Sequence, residues 1–281
     1  MTRRIMKNIT LVELLEAGCH FGHKKEKWHP KAASFIYAAK EGVHIIDLAK
    51  TKEWLQKAGE YAEKLGQEGK VLMFVATKRQ AKLLLATAAK KANAPYLASR
   101  WVGGFLTNWD QVKRNIDKLN KMKKDKAEGA WKKFVKHEIV KLDKEMKQIE
   151  MVYGGVADLK SPPDALFIVD IKKEDIAIKE AARREIPVIG MVDTNSDPSL
   201  ISYPIPANDD AVGSIEIIVN FIAECYLEGK EKRAKEGEKE KERTSEKESR
   251  EKAVEVKKPA AEAPTKPVVS KEKKKTVSKK K

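Results

Sequence analysis

The chain is poor in cysteine. Cys19 and Cys225 are the only two in 281 residues, too few and too far apart for a disulfide framework. It also lacks any apolar run near the roughly 18 residues that span a bilayer. The basic start Met1-Thr2-Arg3-Arg4-Ile5-Met6-Lys7 leads into Asn8 and Thr10, not into the apolar stretch of a signal peptide. These absences point to a cytoplasmic protein with no membrane partner. Two phosphate-binding signatures are missing as well. After Val75 the chain reads Ala-Thr-Lys-Arg-Gln, without Gly-x-Gly-x-x-Gly, and no Gly-Lys-Ser/Thr loop occurs anywhere, which argues against dinucleotide and nucleoside triphosphate sites of those kinds. Asp193-Thr194-Asn195-Ser196-Asp197 opens like a calcium loop, but Pro198 and Pro204 stand where glycine and glutamate are required.

What the chain has is positive charge, unevenly spread. The formal net charge is +16, which suits a polyanionic partner. Residues 229–281 hold 20 Lys and Arg against 11 Asp and Glu, with no aromatic residue and no Leu, Ile or Met. Such a segment cannot bury enough apolar surface to offset the entropy of ordering, so it reads as a disordered basic tail, although Lys and Glu spacing over 230–252 would let the last helix run on.

Residues 1–107 and 152–228 read as an α/β body. Thr10 and Glu13 form a capping box ahead of a short helix, and residues 35–37 and 43–46 read as two short strands of a hairpin separated by Ala38-Ala39-Lys40-Glu41-Gly42. A helix over 51–65 is stopped by Gly66. The run Val71-Leu72-Met73-Phe74-Val75-Ala76 is apolar throughout, as in a parallel strand covered on both faces. Further strands are expected at 95–98, 165–169, 187–192 and 203–205, with helices over 83–88, 174–184 and 211–227. The result is a three-layer α/β sandwich on a five-stranded, mostly parallel sheet. Residues 108–151 interrupt it. Apolar positions three or four apart, including Ile116, Leu119, Leu142 and Met146, predict an inserted antiparallel helical hairpin, a coiled coil. Its outer faces are basic, with thirteen Lys and Arg against seven Asp and Glu between Lys113 and Glu150.

The loop from Cys19 to Lys31 holds four lysines, three histidines and two aromatics. Lysines interleaved with Phe21 and Trp28 suit a phosphate backbone with a stacked base. Lys24, Lys25, Lys27, Trp28 and Lys31 are therefore candidate nucleic-acid contacts, with Lys78 and Arg79 at a sheet edge, Arg100 and Trp101 before the hairpin, and Lys113 and Arg114 on it. Cys19, His20, His23 and His29 are competent zinc ligands, but their spacing matches no common structural site, so no metal and no cofactor is expected. The enzymatic alternative is a phosphate-handling site on Asp170 and Asp193, both at strand ends. No nucleophile or base is readable beside them, and turn- or helix-capping aspartates account for the pattern.

Several motifs in fixed order resemble one family. They are Ala17-Gly18-Cys19-His20-Phe21-Gly22-His23, Trp28-His29-Pro30-Lys31, Val43-His44-Ile45-Ile46-Asp47-Leu48, Thr77-Lys78-Arg79, Arg100-Trp101-Val102-Gly103-Gly104 with Leu106-Thr107-Asn108, Pro163-Asp164-Ala165-Leu166, and Asp193-Thr194-Asn195-Ser196-Asp197-Pro198. From about Ile9 to Leu227 the chain resembles the bacterial-type family of small-subunit ribosomal protein two. The resemblance implies a non-enzymatic rRNA-binding protein of the small ribosomal subunit with no small-molecule substrate, neighbouring ribosomal proteins as partners, and a part in recruiting the mRNA-capturing ribosomal protein one. Cys19 and His29 depart from the family's usual aliphatic residue and asparagine.

Overall fold

In a computed structural model, residues 9–255 are described, with side chains described as far as Glu236. The elements in order are α1 (Leu11–Glu16), β1 (Phe21–Lys24), β2 (Ile36–Lys40), β3 (Val43–Ile46), α2 (Leu48–Glu68), β4 (Leu72–Val75), α3 (Lys82–Lys91), β5 (Tyr96–Leu97), α4 (Trp109–Ala127), α5 (Lys136–Tyr153), β6 (Ala165–Ile168), α6 (Asp175–Arg183), β7 (Val188–Val192), β8 (Tyr203–Pro206) and α7 (Val212–Glu255). The expected α/β sandwich is present. The main sheet has the order β5-β4-β6-β7-β8 and every pairing in it is parallel.

Strand periodicity explains the two cores. Leu72 and Phe74 point into one buried cluster with α2, α3 and α7, while Met73 and Val75 point into the other with α4, α5 and α6. Both faces are covered, so all four residues of β4 are buried. Truncating Phe74 to alanine at such a position costs about 3–5 kcal/mol.

Local chemistry sets several boundaries. At α1, Thr10 N donates to Glu13 Oε2 at 2.8 Å and Glu13 N to Thr10 Oγ1 at 3.2 Å, the expected capping box. At the β2–β3 turn, Glu41 and Gly42 have φ of 52° and 81°, which matches a two-residue turn to the strand twist. Two boundaries differ from the sequence reading. Helix α2 does not stop at Gly66: a Cβ there would lie 2.5 Å from the Tyr226 carbonyl oxygen on α7, so this glycine permits close helix contact, and Gly69, φ 71°, ends the helix instead. The loop after Cys19 contains a strand, because β1 pairs antiparallel with β3 to make a separate three-stranded sheet.

The hairpin packs into the body, and the last helix runs on past residue 227 as the Lys and Glu spacing allows. Helices α4 and α5 pack together, but Val112, Ile116 and Leu119 lie in the same buried cluster as Met73 and Val75. The described residues through Glu236 accordingly form one compact unit, and excising 108–151 would open the body's own core. Helix α7 does not end at residue 227. It continues through Gly229 to Glu255, and Lys230 Nζ donates to the Asn93 carbonyl at 2.9 Å. The remainder of the expected tail, 256–281, lies outside the described residues.

Candidate nucleic-acid interface

The strand order reverses between β5-β4 and β6-β7-β8, and in open α/β sheets ligands gather at the carboxyl ends of the strands beside such a reversal. Thr77 and Lys78 follow β4, Asp170 follows β6, Asp193 follows β7, and Asp209 and Asp210 follow β8. Their side chains converge. Lys78 Nζ lies 2.7 Å from Asp209 Oδ1, 2.6 Å from Asp210 Oδ1 and 3.4 Å from Asp170 Oδ2. His23, from β1, adds Nδ1 at 3.1 Å from Asp193 Oδ2 and Nε2 at 3.5 Å from Asp210 Oδ2.

Burial and charge then pull the protonation equilibria apart. Burial opposes the charge on Lys78, but hydrogen bonds to Asp209 and Asp210 overcome it and raise the ammonium's pKa. Burial, followed by the charges of Asp170 and Asp193, pushes Asp209 up to about 7. Asp210, more exposed and bonded to Lys78, is lowered. His23 is raised, chiefly by its hydrogen bond to Asp193. Four carboxylates thus surround one ammonium and one imidazole.

This cluster revises three readings. Lys78 is turned inward and neutralised, so a phosphate contact would have to displace three carboxylates. Asp170 and Asp193, the carboxylates of the enzymatic alternative, face Lys78 and His23. For metals, Cys19 is fully buried in the core, and burial raises its thiol pKa. The metal-competent group among the described residues is instead His23, Asp193 and Asp209, with one ligand atom from each inside a 4.8 Å span. In sequence His23 and Asp193 stand in separate motifs 170 residues apart, and only the fold joins them. Asp209 and Asp210, which it did not single out, reach Lys78 from more than 130 residues away.

The other sequence-derived candidates are distributed differently. Lys24, Lys25, Lys27, Arg79, Arg100, Lys113 and Arg114 are exposed and have no ion-pair partner among the described residues. Trp28 is 41% exposed, with its ring 5.6 Å from that of His44. Lys31 is tied to Asp197 at 2.8 Å, and Trp101 is half-buried, its Nε1 donating to Glu180 at 3.2 Å. On the hairpin, the lysines beside the seam pair across it, Lys118 with Glu145 and, at 2.7 Å, Lys123 with Glu150. Asp143, bonded by Lys126 and Lys147, is held down to about 2.

A parallel α/β body carrying an inserted basic hairpin, with exposed cations that have no ion-pair partner among the described residues and with Lys78 held by carboxylates, is the framework of a binding protein. The family model described as Ribosomal protein S2 matches residues 14–229. The chain is 45% identical to small ribosomal subunit protein uS2 of Dictyoglomus thermophilum, over 82% of this chain and 94% of that one. It is 45% identical to the same protein of Coprothermobacter proteolyticus over 81% and 85%, and 44% identical to that of Bacteroides fragilis over 79% and 80%. The chain belongs to the ribosomal protein S2 family, a family of structural, non-enzymatic proteins.

Proposed function

We infer that this chain is a structural constituent of the cytoplasmic small ribosomal subunit and binds its rRNA through the phosphate backbone. The family supports the first part. The observation that carries the second is the contrast among cations: Lys24, Lys25, Lys27, Arg79, Arg100, Lys113 and Arg114 are exposed and unpaired among the described residues, whereas Lys78 is neutralised by carboxylates. Unpaired lysines and arginines release counterions when they meet phosphates, and such contacts position a protein without reading sequence. Trp28 is exposed enough to stack on a base. The test is the salt dependence of binding to small-subunit rRNA. Each phosphate contact adds roughly one unit, or slightly less, to the slope of log affinity against log salt, so a salt-independent affinity would remove the reading.

The family resemblance further supports a part in recruiting the mRNA-capturing ribosomal protein one, alongside contacts with neighbouring small-subunit proteins. Small subunits assembled with and without this chain, then challenged with purified ribosomal protein one, would check that part. Equal retention on both would refute it.

A further inference from the structure

Glu180 lies on the inner face of α6, where Ala177, Ile178 and Ala181 are also buried, and is itself only 6% exposed. A carboxylate in that position is costly unless its oxygens are satisfied, and here the donors come from a single distant segment. Oε1 accepts from Gly104 N at 2.7 Å and Trp101 Nε1 at 3.2 Å. Oε2 accepts from Leu106 N at 3.0 Å and, at 3.4 Å each, from Thr107 N and Oγ1. Burial would raise this carboxyl's pKa, but the donated N–H groups outweigh it and hold the group ionised. One turn later on the same face, Arg184 supplies the complementary half. Its Nε and Nη2 donate to the carbonyls of Leu106 and Thr107, both at 3.1 Å.

Acceptor and donor together grip both polar sides of one stretch of backbone. That stretch follows Arg100, which is exposed, and runs into α4, which carries Lys113 and Arg114. Phe105 and Leu106 anchor it from below, fully buried, with Phe105 between the rings of Trp101 and Trp109 at 5.1 and 5.9 Å. The loop has no strand partner, so these side chains supply the backbone satisfaction that a sheet would otherwise give.

We propose that Glu180 and Arg184 are positioning residues for RNA binding: they fix the 101–107 backbone so that Arg100 and the cations at the hairpin root meet one phosphate track. They touch no phosphate themselves. The inference rests on the rRNA-binding reading above and adds to it the device that sets the geometry.

The experiment is a double-mutant cycle in the full chain, reading the slope of log affinity for small-subunit rRNA against log salt. Glu180→Gln places an amide NH2 against one of the two donor sets, and hydrogen exchange at Gly104 and Leu106 should accelerate. In the wild-type background Arg100→Ala should flatten the slope by roughly one unit or slightly less. In the Glu180→Gln background the same replacement should change it by about a quarter of that or less, because a loop that is no longer fixed does not hold Arg100 on a phosphate. A purely structural role would lower Tm and leave the Arg100 decrement whole. Arg184→Gln, at an exposed position that keeps the carboxylate, carries the same expectation if Glu180→Gln does not fold. An equal Arg100 decrement in all backgrounds, or none in the wild type, overturns the positioning role while the RNA reading stands. Salt-independent binding by the wild-type chain instead overturns the RNA reading itself.

Discussion

Lys78 and Lys24 are chemically alike, and both stand in motifs that suit phosphate binding. Lys78 leaves a central strand and meets the ends of two others, so the fold surrounds it with carboxylates at 2.6, 2.7 and 3.4 Å. Lys24 leaves a short strand of the outer three-stranded sheet and stays exposed, with no ion-pair partner among the described residues. The same residue type is structural at one edge and available at the other. What decides between them is the number of strand ends that converge on the position, a property of topology.

The strongest way to break this comparison is to remove the inner lysine. Lys78→Met leaves Asp209 buried beside Asp170 and Asp193 with no ammonium, and breaking a buried pair costs about 3–5 kcal/mol. Urea denaturation at pH 8 should show that loss. Lys24→Ala should stay within about 0.5 kcal/mol of wild type. Similar small costs for both would mean that Lys78 is not integral to the fold.

A second test uses pH. The carboxyl of Asp209 is raised in the folded protein to about 7 from 3.8, so between those values the native state binds the proton more tightly than the unfolded chain. Its stabilising contribution is complete below the unfolded value and is lost as pH rises through about 7, by on the order of 2–4 kcal/mol. Asp209→Asn should remove that component, so the variant gains on the wild type between pH 5 and pH 8. An unchanged pH profile would place the surplus proton elsewhere in the cluster.

The same surplus negative charge makes a metal test informative. His23, Asp193 and Asp209 could hold a divalent ion, and an imidazole with two carboxylates suits zinc. Zinc at a hundred times its Kd would stabilise the chain by about 2.7 kcal/mol, and His23→Ala with Asp193→Asn should abolish the gain. No rise in Tm at millimolar zinc would show that these three residues hold no zinc.

Much of the fold was legible because its signals are local. The apolar run of β4, the Thr10 and Glu13 capping box and the hairpin between residues 35 and 46 each lie within a few neighbouring residues and each is present, although β2 runs on to Lys40 and shortens the expected five-residue connection to Glu41-Gly42. Gly66 misled because a helix-stopping glycine and a glycine that admits another helix look the same until α7 is in place. Strand β1 was missed because Phe21-Gly22-His23-Lys24 lacks an apolar face and its pairing partner lies some twenty residues on. Of the candidate interface, exposed cations in loops could be read directly, but the neutralisation of Lys78 by Asp209 could not, since the pair is 131 residues apart in sequence. Glu180 did leave a trace: it falls on the same helical face as Ala177 and Ala181, where a charge calls for a partner.

Contact between the exposed cations and phosphate is tested most directly by one titration series. Affinity for small-subunit rRNA would be measured across salt for the wild type and for a variant with Lys24, Lys25, Lys27, Arg79, Arg100, Lys113 and Arg114 replaced by alanine. If these residues sit on phosphates, the slope flattens by roughly 0.7–0.9 unit for each phosphate no longer neutralised, while the stability of the fold stays near that of wild type because none of them is paired within the described chain. A folded variant that keeps the wild-type slope would contradict the account, and would place the RNA footprint on another surface of the protein.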